Sequence, residues 1–174
     1  MHQEEFESLM NAYGRDLYSF CCRTTRNKQE AEDLYQDTFL KLYEIRENVA
    51  ITTNPKSFLM GISVNLYRNY KRKLFARQKI TGIEYSIEET VIDIPSKEQL
   101  TEEQILMHEK YQILRDAVRG LPDKYRIPVL LFYMEELTIK EMAHILKLPE
   151  GTVKSRIHRA KKILKERLEK SFYE

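Results

Sequence analysis

Apolar side chains recur at three- and four-residue steps along most of the chain, and this spacing predicts α-helices. In the first half the apolar stripes cover residues 6–20, 34–45 and 58–70. Asn54 and Pro55 precede the third stripe, and this pair is typical of a helix start. No segment shows sustained alternation that ends in an Asn-Gly or Asp-Gly turn, so the pattern requires no strands.

Helical spacing returns after residue 100, where it is divided by residues that begin or end helices. Residues 101–104, Thr-Glu-Glu-Gln, form a capping box in which the Thr101 side chain accepts from a backbone N–H three residues on. Gly120 is placed to end this helix, and Pro122 suits the first turn of the next. Pro128 lies inside that next helix and should kink it, because proline lacks a backbone donor.

A short helix, a tight turn and a long helix are predicted at the end of the chain. Residues 138–141 form a second capping box, residues 147–149 break the short helix, and the last helix begins near Glu150. Residues 138–161 therefore have the anatomy of a helix-turn-helix, whose second helix enters a major groove. The alternative is an amphipathic helix that only covers a bundle, and the capped helix upstream favours DNA binding.

Charge is strongly segregated, although the net charge is only +2. Residues 63–79 carry six Lys or Arg and no acidic residue, and residues 151–174 carry eight Lys or Arg against three Glu. Between these blocks, residues 84–109 are acidic and contain a single Lys, Lys97. Two basic blocks separated by an acidic segment indicate two contacts with a polyanion.

Residues 80–100 lack helical spacing and mix Gly82, isolated β-branched residues, acidic residues and a Pro-Ser pair. Some twenty residues can span about 60–70 Å when extended. We therefore predict an all-α protein of two small helical domains, residues 1–79 and 105–174, that are joined by a flexible acidic linker over residues 80–104.

Composition narrows the classes of protein to consider. The hydrophobic fraction of 42% is typical of a folded chain, and the longest apolar runs are too short to cross a bilayer. The acidic N-terminus lacks a secretory apolar stretch, so we expect a cytoplasmic protein. Cys21 and Cys22 are adjacent and fit no zinc pattern, so we expect two ordinary thiols, no metal and no cofactor.

The outer face of the last helix carries side chains that can read base edges in a duplex. The residues predicted to do so are Lys154, Ser155, His158 and Arg159. Three further cations flank this face and are better placed for phosphates, which supply affinity rather than sequence reading. These cations are Arg156, Lys161 and Lys162.

Several motifs resemble one bacterial family, the extracytoplasmic-function sigma factors of RNA polymerase. Residues 121–126, 137–143 and 149–160, with the run Gly-Thr-Val-Lys-Ser-Arg over 151–156, look like region 4 of that family. Residues 31–40 and 55–73 are similar to its region 2. The resemblance implies a non-enzymatic protein that gives RNA polymerase specificity for alternative promoters, with region 4 reading the −35 element.

The resemblance also implies roles for residues of the first domain. Asp33, Gln36 and Asp37 would dock on the β′ clamp coiled coil of core RNA polymerase, where carboxylates pair with cations. The melted −10 element would be held by amide and cationic side chains that read and track an unpaired strand. These side chains are Asn65, Arg68, Asn69 and Arg72.

Partners follow from the same resemblance: core polymerase through its β′ clamp and β flap, promoter DNA, and an anti-sigma factor that is often membrane-bound. Two positions depart from the family: Phe58, where it usually has Trp, and Lys147, where it often has Gly in the turn. If the turn needs a positive φ there, lysine costs about 1 kcal/mol.

Two other classes of protein remain as alternatives. A freestanding helix-turn-helix regulator would need a sensor or dimerisation domain in the first hundred residues, where the region-2-like run lies instead. An enzyme such as a metal-dependent nuclease would need convergent ligands, yet the four His are scattered and no metalloprotease, P-loop or nucleophile-elbow motif is present.

Overall fold

The structure is a computed structural model that describes residues 3–47, 54–82 and 102–173. These ranges form seven helices: α1 Gln3–Thr24, α2 Lys28–Ile45, α3 Pro55–Thr81, α4 Glu102–Arg119, α5 Asp123–Tyr133, α6 Ile139–Leu146 and α7 Glu150–Tyr173. The all-α prediction is confirmed. Of the predicted acidic linker over residues 80–104, residues 80–81 belong to α3 and 102–104 to α4, and residues 83–101, with the cap at Thr101, lie outside the described residues.

The N-terminal domain is a bundle of α1, α2 and α3, and side-chain caps fix where two of its helices begin. The Asn27 side chain accepts from the backbone N–H groups of Gln29 and Glu30 at the start of α2. Asn54 accepts from the N–H of Ser57, and Pro55 occupies the first turn of α3, as the sequence predicts. Asparagine satisfies donors that a helix start leaves unpaired, so these residues set where the chain turns.

Most of the predicted apolar stripes lie in the core, but Met10 of the first stripe is 37% exposed and the stripe of α3 needs a correction. Tyr67 is 2% exposed and Tyr70 is 46% exposed, although the sequence pattern placed Tyr70 on the inner face. Tyr67 is drawn inward because its hydroxyl donates to Asp123 Oδ2 of the other domain at 2.9 Å. The helix also continues to Thr81, beyond residue 79, and ends at Gly82 with a φ of 66°.

The C-terminal domain contains α4 to α7, and its turns follow the predicted residues. Gly120 follows α4 with an ordinary φ; a Cβ there would lie 2.6 Å from Nη1 at the end of the Arg167 side chain, which would have to shift. Thr138 and Glu141 form the predicted reciprocal capping box at the start of α6. Lys147 ends α6 with φ 54° and ψ 48°, so the turn does use the left-handed conformation.

The two domains pack directly against each other, through α1 with α5 and α3 with α6. Their buried apolar side chains form one cluster that includes Leu17 and Leu59 of the first domain and Ile127 and Ile145 of the second. The sequence pattern did not predict the contact between the domains. An apolar stripe identifies the buried side of a helix, but it does not identify the helix that packs against that side.

Candidate nucleic-acid and polymerase interfaces

The outer face of α7 is shaped by the side chains on its opposite side. Val153, Ile157 and Ala160 are buried against α5 and α6, and this fixes the rotation of the helix. The four residues predicted to read bases are consequently exposed: Lys154, Ser155, His158 and Arg159. The Ser155 hydroxyl donates to the carbonyl of Thr152 at 2.9 Å within the helix, and its oxygen can still accept.

The three predicted phosphate-binding cations of α7 lie in different surroundings. Lys162 is exposed. Arg156 is half-buried and lines a cleft of about 440 Å³ together with Arg68 and Lys71 of α3. Lys161 lines a separate groove, together with residues of α1, α4 and α5. The structure therefore separates residues that sequence reasoning had grouped together.

The predicted −10 face of α3 combines exposed amides and cations. Asn65, Asn69 and Arg72 are exposed, and Arg72 Nη2 donates to Asn69 Oδ1 at 3.0 Å. Arg68 differs, because it is half-buried and its Nη1 donates to the carbonyl of Leu146 at 3.0 Å. Burial and then the nearby Arg156 lower the pKa of Arg68. One member of the predicted set is thus engaged with the other domain.

The predicted polymerase-docking residues form an exposed acidic surface on α2. Asp33, Gln36 and Asp37 all face solvent, and Gln29 Nε2 donates to Asp33 Oδ1 at 3.0 Å. Leu40, which sequence reasoning missed, is 60% exposed one turn beyond Gln36 on the same face. An exposed leucine beside carboxylates gives this surface an apolar contact as well as charges, and its position off the buried stripe was the available signal.

An apolar groove of about 1020 Å³ lies between the end of α1 and helices α4, α5 and α7. Its apolar lining includes Leu114, Val118, Val129, Leu130, Leu164 and Leu168. Cations stand along its edge, among them Arg23, Lys161 and Lys165. Helical spacing after residue 100 marks an apolar side of α4, but it does not reveal that this side opens onto a groove.

The structure indicates no chemical role for either cysteine. Both are free; Cys21 is buried and Cys22 half-buried. Burial raises the pKa of the Cys21 thiol to about 12, so it stays protonated and unreactive at neutral pH. Within the described ranges no group of His, Cys, Asp and Glu is arranged to hold a metal ion. In the same ranges no helix has the length and apolar character to span a bilayer.

Taken together, the fold and these surfaces define a two-domain helical DNA-binding protein with a helix-turn-helix in its second domain. Comparison with known families makes the assignment specific. Residues 9–76 match the family described as Sigma-70 region 2, and residues 111–164 match the one described as Sigma-70, region 4.

Individual relatives extend the match to nearly the whole chain. The sequence is 30% identical over 174 residues to the ECF RNA polymerase sigma factor SigW of Bacillus subtilis, covering 95% of this chain and 90% of the relative. The sigma factor RpoE of Bartonella quintana, solved with the anti-sigma factor NepR, superposes with a TM-score of 0.78 at 23% identity, over 95% of this chain and 98% of that one.

A second solved structure, CnrH in complex with the cytosolic domain of CnrY, superposes with a TM-score of 0.66 at 17% identity, over 97% of this chain and 90% of that one. The chain belongs to the extracytoplasmic-function sigma factors of RNA polymerase. These are non-enzymatic subunits that direct the polymerase to promoters, so the predicted absence of enzymatic activity is confirmed.

Proposed function

We propose that this sigma factor acts through three surfaces: the acidic face of α2 on core polymerase, the outer face of α7 on the −35 element, and the exposed face of α3 on the melted −10 element. The observation that carries the proposal is the exposure of all three faces on separate helices. Core packing leaves most of these polar side chains exposed, while Arg68 and Arg156 are half-buried.

The acidic face of α2 docks on the β′ clamp coiled coil. Asp33 and Asp37 supply carboxylates that accept charge-assisted hydrogen bonds from arginine, and Gln36 supplies an amide between them. Leu40 adds apolar area that the partner can bury. The β flap is the proposed second contact of polymerase, on the C-terminal domain.

The outer face of α7 reads duplex DNA. Lys154 and Arg159 can donate to guanine O6 and N7, and Ser155 and His158 can reach further base edges or the backbone. Lys162 is exposed for phosphate contact, and Arg156 and Lys161 complete the proposed cationic set.

The face of α3 holds the opened strand. Asn65 and Asn69 carry amides that can both donate to and accept from an unpaired base edge. Arg68 and Arg72 lie on the same side for the phosphodiester backbone. Unpairing and unstacking cost a few kcal/mol per base, so these contacts must return a comparable free energy.

An anti-sigma factor is the proposed regulator, commonly membrane-anchored in this family, and the sigma factor is proposed to act in the cytoplasm. RpoE was solved in complex with the anti-sigma factor NepR, and CnrH in complex with the cytosolic domain of CnrY. The apolar groove with cations along its edge fits an amphipathic helix of acidic character, whose apolar side would cover residues such as Leu114 and Leu164.

Gel filtration with core RNA polymerase tests the proposal. The chain should co-elute with core in a one-to-one ratio, and the complex should protect both promoter elements in footprinting. A freestanding helix-turn-helix regulator, the alternative reading, would elute separately from core and protect a single site. That result would remove the proposed assembly.

A further inference from the structure

We propose that the cleft of about 440 Å³ between α3, α5 and α7 is a binding site for a nucleoside polyphosphate, which places its phosphates among the cations of the cleft and its base against an exposed aromatic ring. Binding at this cleft requires neither polymerase nor promoter DNA, so it can be tested independently of the proposed function.

The cleft collects positive charge from three helices. Two of its cations, Lys71 and Lys124, lie outside the sets proposed to contact DNA. The five cations that line the cleft are Arg68, Lys71 and Arg72 of α3, Lys124 of α5 and Arg156 of α7. Cations that line a concave surface with low-dielectric walls concentrate the positive potential there and attract anions.

The carboxylate beside these cations is already engaged. Among the described residues, Asp123 is the one acidic residue that lines the cleft. Its Oδ1 accepts from Arg126 Nη2 at 2.7 Å, and its Oδ2 accepts from the Tyr67 hydroxyl at 2.9 Å. Within the part of the chain that the structure describes, none of the five cleft cations forms an ion pair with a carboxylate. Their charge is therefore left for a ligand to neutralise.

The two half-buried arginines of the cleft lie close enough to affect each other. Burial and then the nearby Arg156 lower the pKa of Arg68, which means that the two charged guanidinium groups destabilise each other. Arg68 Nη1 donates to the carbonyl of Leu146 at 3.0 Å, but a guanidinium has five N–H donors. An anion between the two arginines would offset their repulsion and accept their remaining donors, and the planar guanidinium matches a phosphate group.

The two lysines of the cleft are placed by aromatic rings. Lys71 Nζ lies 5.6 Å from the centre of the Tyr67 ring, and Lys124 Nζ lies 5.0 Å from the centre of the Tyr125 ring. The face of an aromatic ring attracts an ammonium group but does not cancel its charge. Both lysines therefore keep donors and charge for an anion at the cleft.

Phe75 supplies a different chemistry at the same place. Its side chain is 65% exposed and lines the cleft beside the cations. Exposed aromatic rings next to cations bind bases by stacking, because every base has a π-face. The cleft volume of about 440 Å³ lies within the range of small-ligand sites. A chain of phosphates brings several negative charges to the five cations, and a nucleoside joined to it uses the ring.

Calorimetry with the purified full chain and ATP, without divalent cations, tests the phosphate contacts. We expect one ATP per chain. Lys71→Gln with Lys124→Gln should weaken binding about tenfold or more, because each lysine loses a charge-assisted hydrogen bond. Lys73→Gln with Lys79→Gln removes the same charge from exposed positions of α3 that do not line the cleft, and should bind as the wild type does. Equal weakening in both variants, or no binding by the wild type, would overturn the proposal.

A second comparison tests the place of the base. Phe75→Ala should weaken ATP binding about fivefold or more, through loss of stacking, and should leave the binding of inorganic tripolyphosphate unchanged. Phe75 is exposed, so circular dichroism should show the same fold in this variant. Equal ATP affinity in the wild type and Phe75→Ala would show that the cleft does not recognise a nucleoside.

The outcome is separate from that of the proposed function, although Arg68, Arg72 and Arg156 belong to both sites. If ATP binds at the cleft and the chain initiates no transcription with core polymerase, the proposed function fails and the nucleotide site stands. If the chain initiates transcription and ATP binding is absent or unchanged in the cleft variants, the nucleotide site is overturned and the proposed function stands.

Discussion

The two basic helices of this sigma factor, α3 and α7, differ in how they present their charge. α7 holds Lys154, His158 and Arg159 on an exposed face. α3 mixes asparagines with arginines, and its Arg68 already donates to the carbonyl of Leu146 of the other domain. The face proposed to read duplex DNA is therefore open in this structure, whereas the face proposed to hold the opened strand is partly engaged by the C-terminal domain.

The two faces also differ in which of their side chains are already engaged. Lys154, His158 and Arg159 are exposed, whereas Arg68 donates to the carbonyl of Leu146 and lies near Arg156. Variants that affect one face, both faces or neither can therefore distinguish their contributions.

The largest effect is expected from a variant that prevents binding to core polymerase. Such a variant removes the function of both DNA-binding faces, on α3 and α7, without changing a residue of either face. Asp33→Lys with Asp37→Lys should abolish co-elution with core polymerase, because reversed charges repel the proposed basic partner instead of accepting its hydrogen bonds. Both side chains are exposed, so the fold should be retained by circular dichroism. Glu4→Lys with Glu7→Lys, an exposed acidic pair on α1, is the matched control; equal loss in both variants would contradict the assignment.

The next effect is confined to α7. Lys154→Ala should weaken binding to a matched −35 element by about 1–3 kcal/mol and should reduce discrimination against a scrambled element. Anisotropy with the polymerase complex measures both quantities. Lys170→Ala, near the exposed end of the same helix, should change neither. Unchanged discrimination in Lys154→Ala would remove this lysine from base reading.

A smaller effect, confined to α3, is expected from Asn65→Ala. Loss of hydrogen bonds to an unpaired base should cost about 0.5–1.5 kcal/mol each, so duplex binding should be retained while open complexes decrease. Permanganate reactivity of thymines in the −10 element measures strand opening. Reactivity equal to that of the wild type would show that Asn65 does not hold the strand.

The smallest effect is expected on the stability of the fold and not on DNA binding. Lys147→Gly should raise the free energy of unfolding by about 1 kcal/mol, because the position has a positive φ that glycine adopts without strain. Lys140→Gly, at an exposed position inside α6, should instead lower it by about 1 kcal/mol. Urea denaturation of both variants checks the difference in sign, and equal shifts would contradict the strain at residue 147.

Much of the fold could be predicted because its local signals agree with one another. The capping box at Thr138 and Glu141 and the helix start at Asn54 each depend on interactions within a few residues, whereas the left-handed turn at Lys147 was suggested only by the glycine that the family often has there. The exposure of the predicted −35 face likewise follows from the apolar stripe of α7, since the two lie on opposite sides of one helix.

What the sequence could not supply was the contact between elements distant along the chain. Tyr67 is inside because of Asp123 and Arg126, and Ile145 is inside because of Gly61, across gaps of more than fifty residues. The apolar groove was missed for the same reason: helical spacing identifies the side of α4 that is apolar but not whether a neighbour covers it.

The central claim is that this chain gives core RNA polymerase the ability to choose promoters. In vitro transcription on a library of genomic fragments, with core polymerase, with and without the purified chain and with no inhibitor present, tests it most directly. The account predicts new transcripts that start downstream of a shared pair of elements only when the chain is added. Identical transcript ends with and without the chain would contradict it.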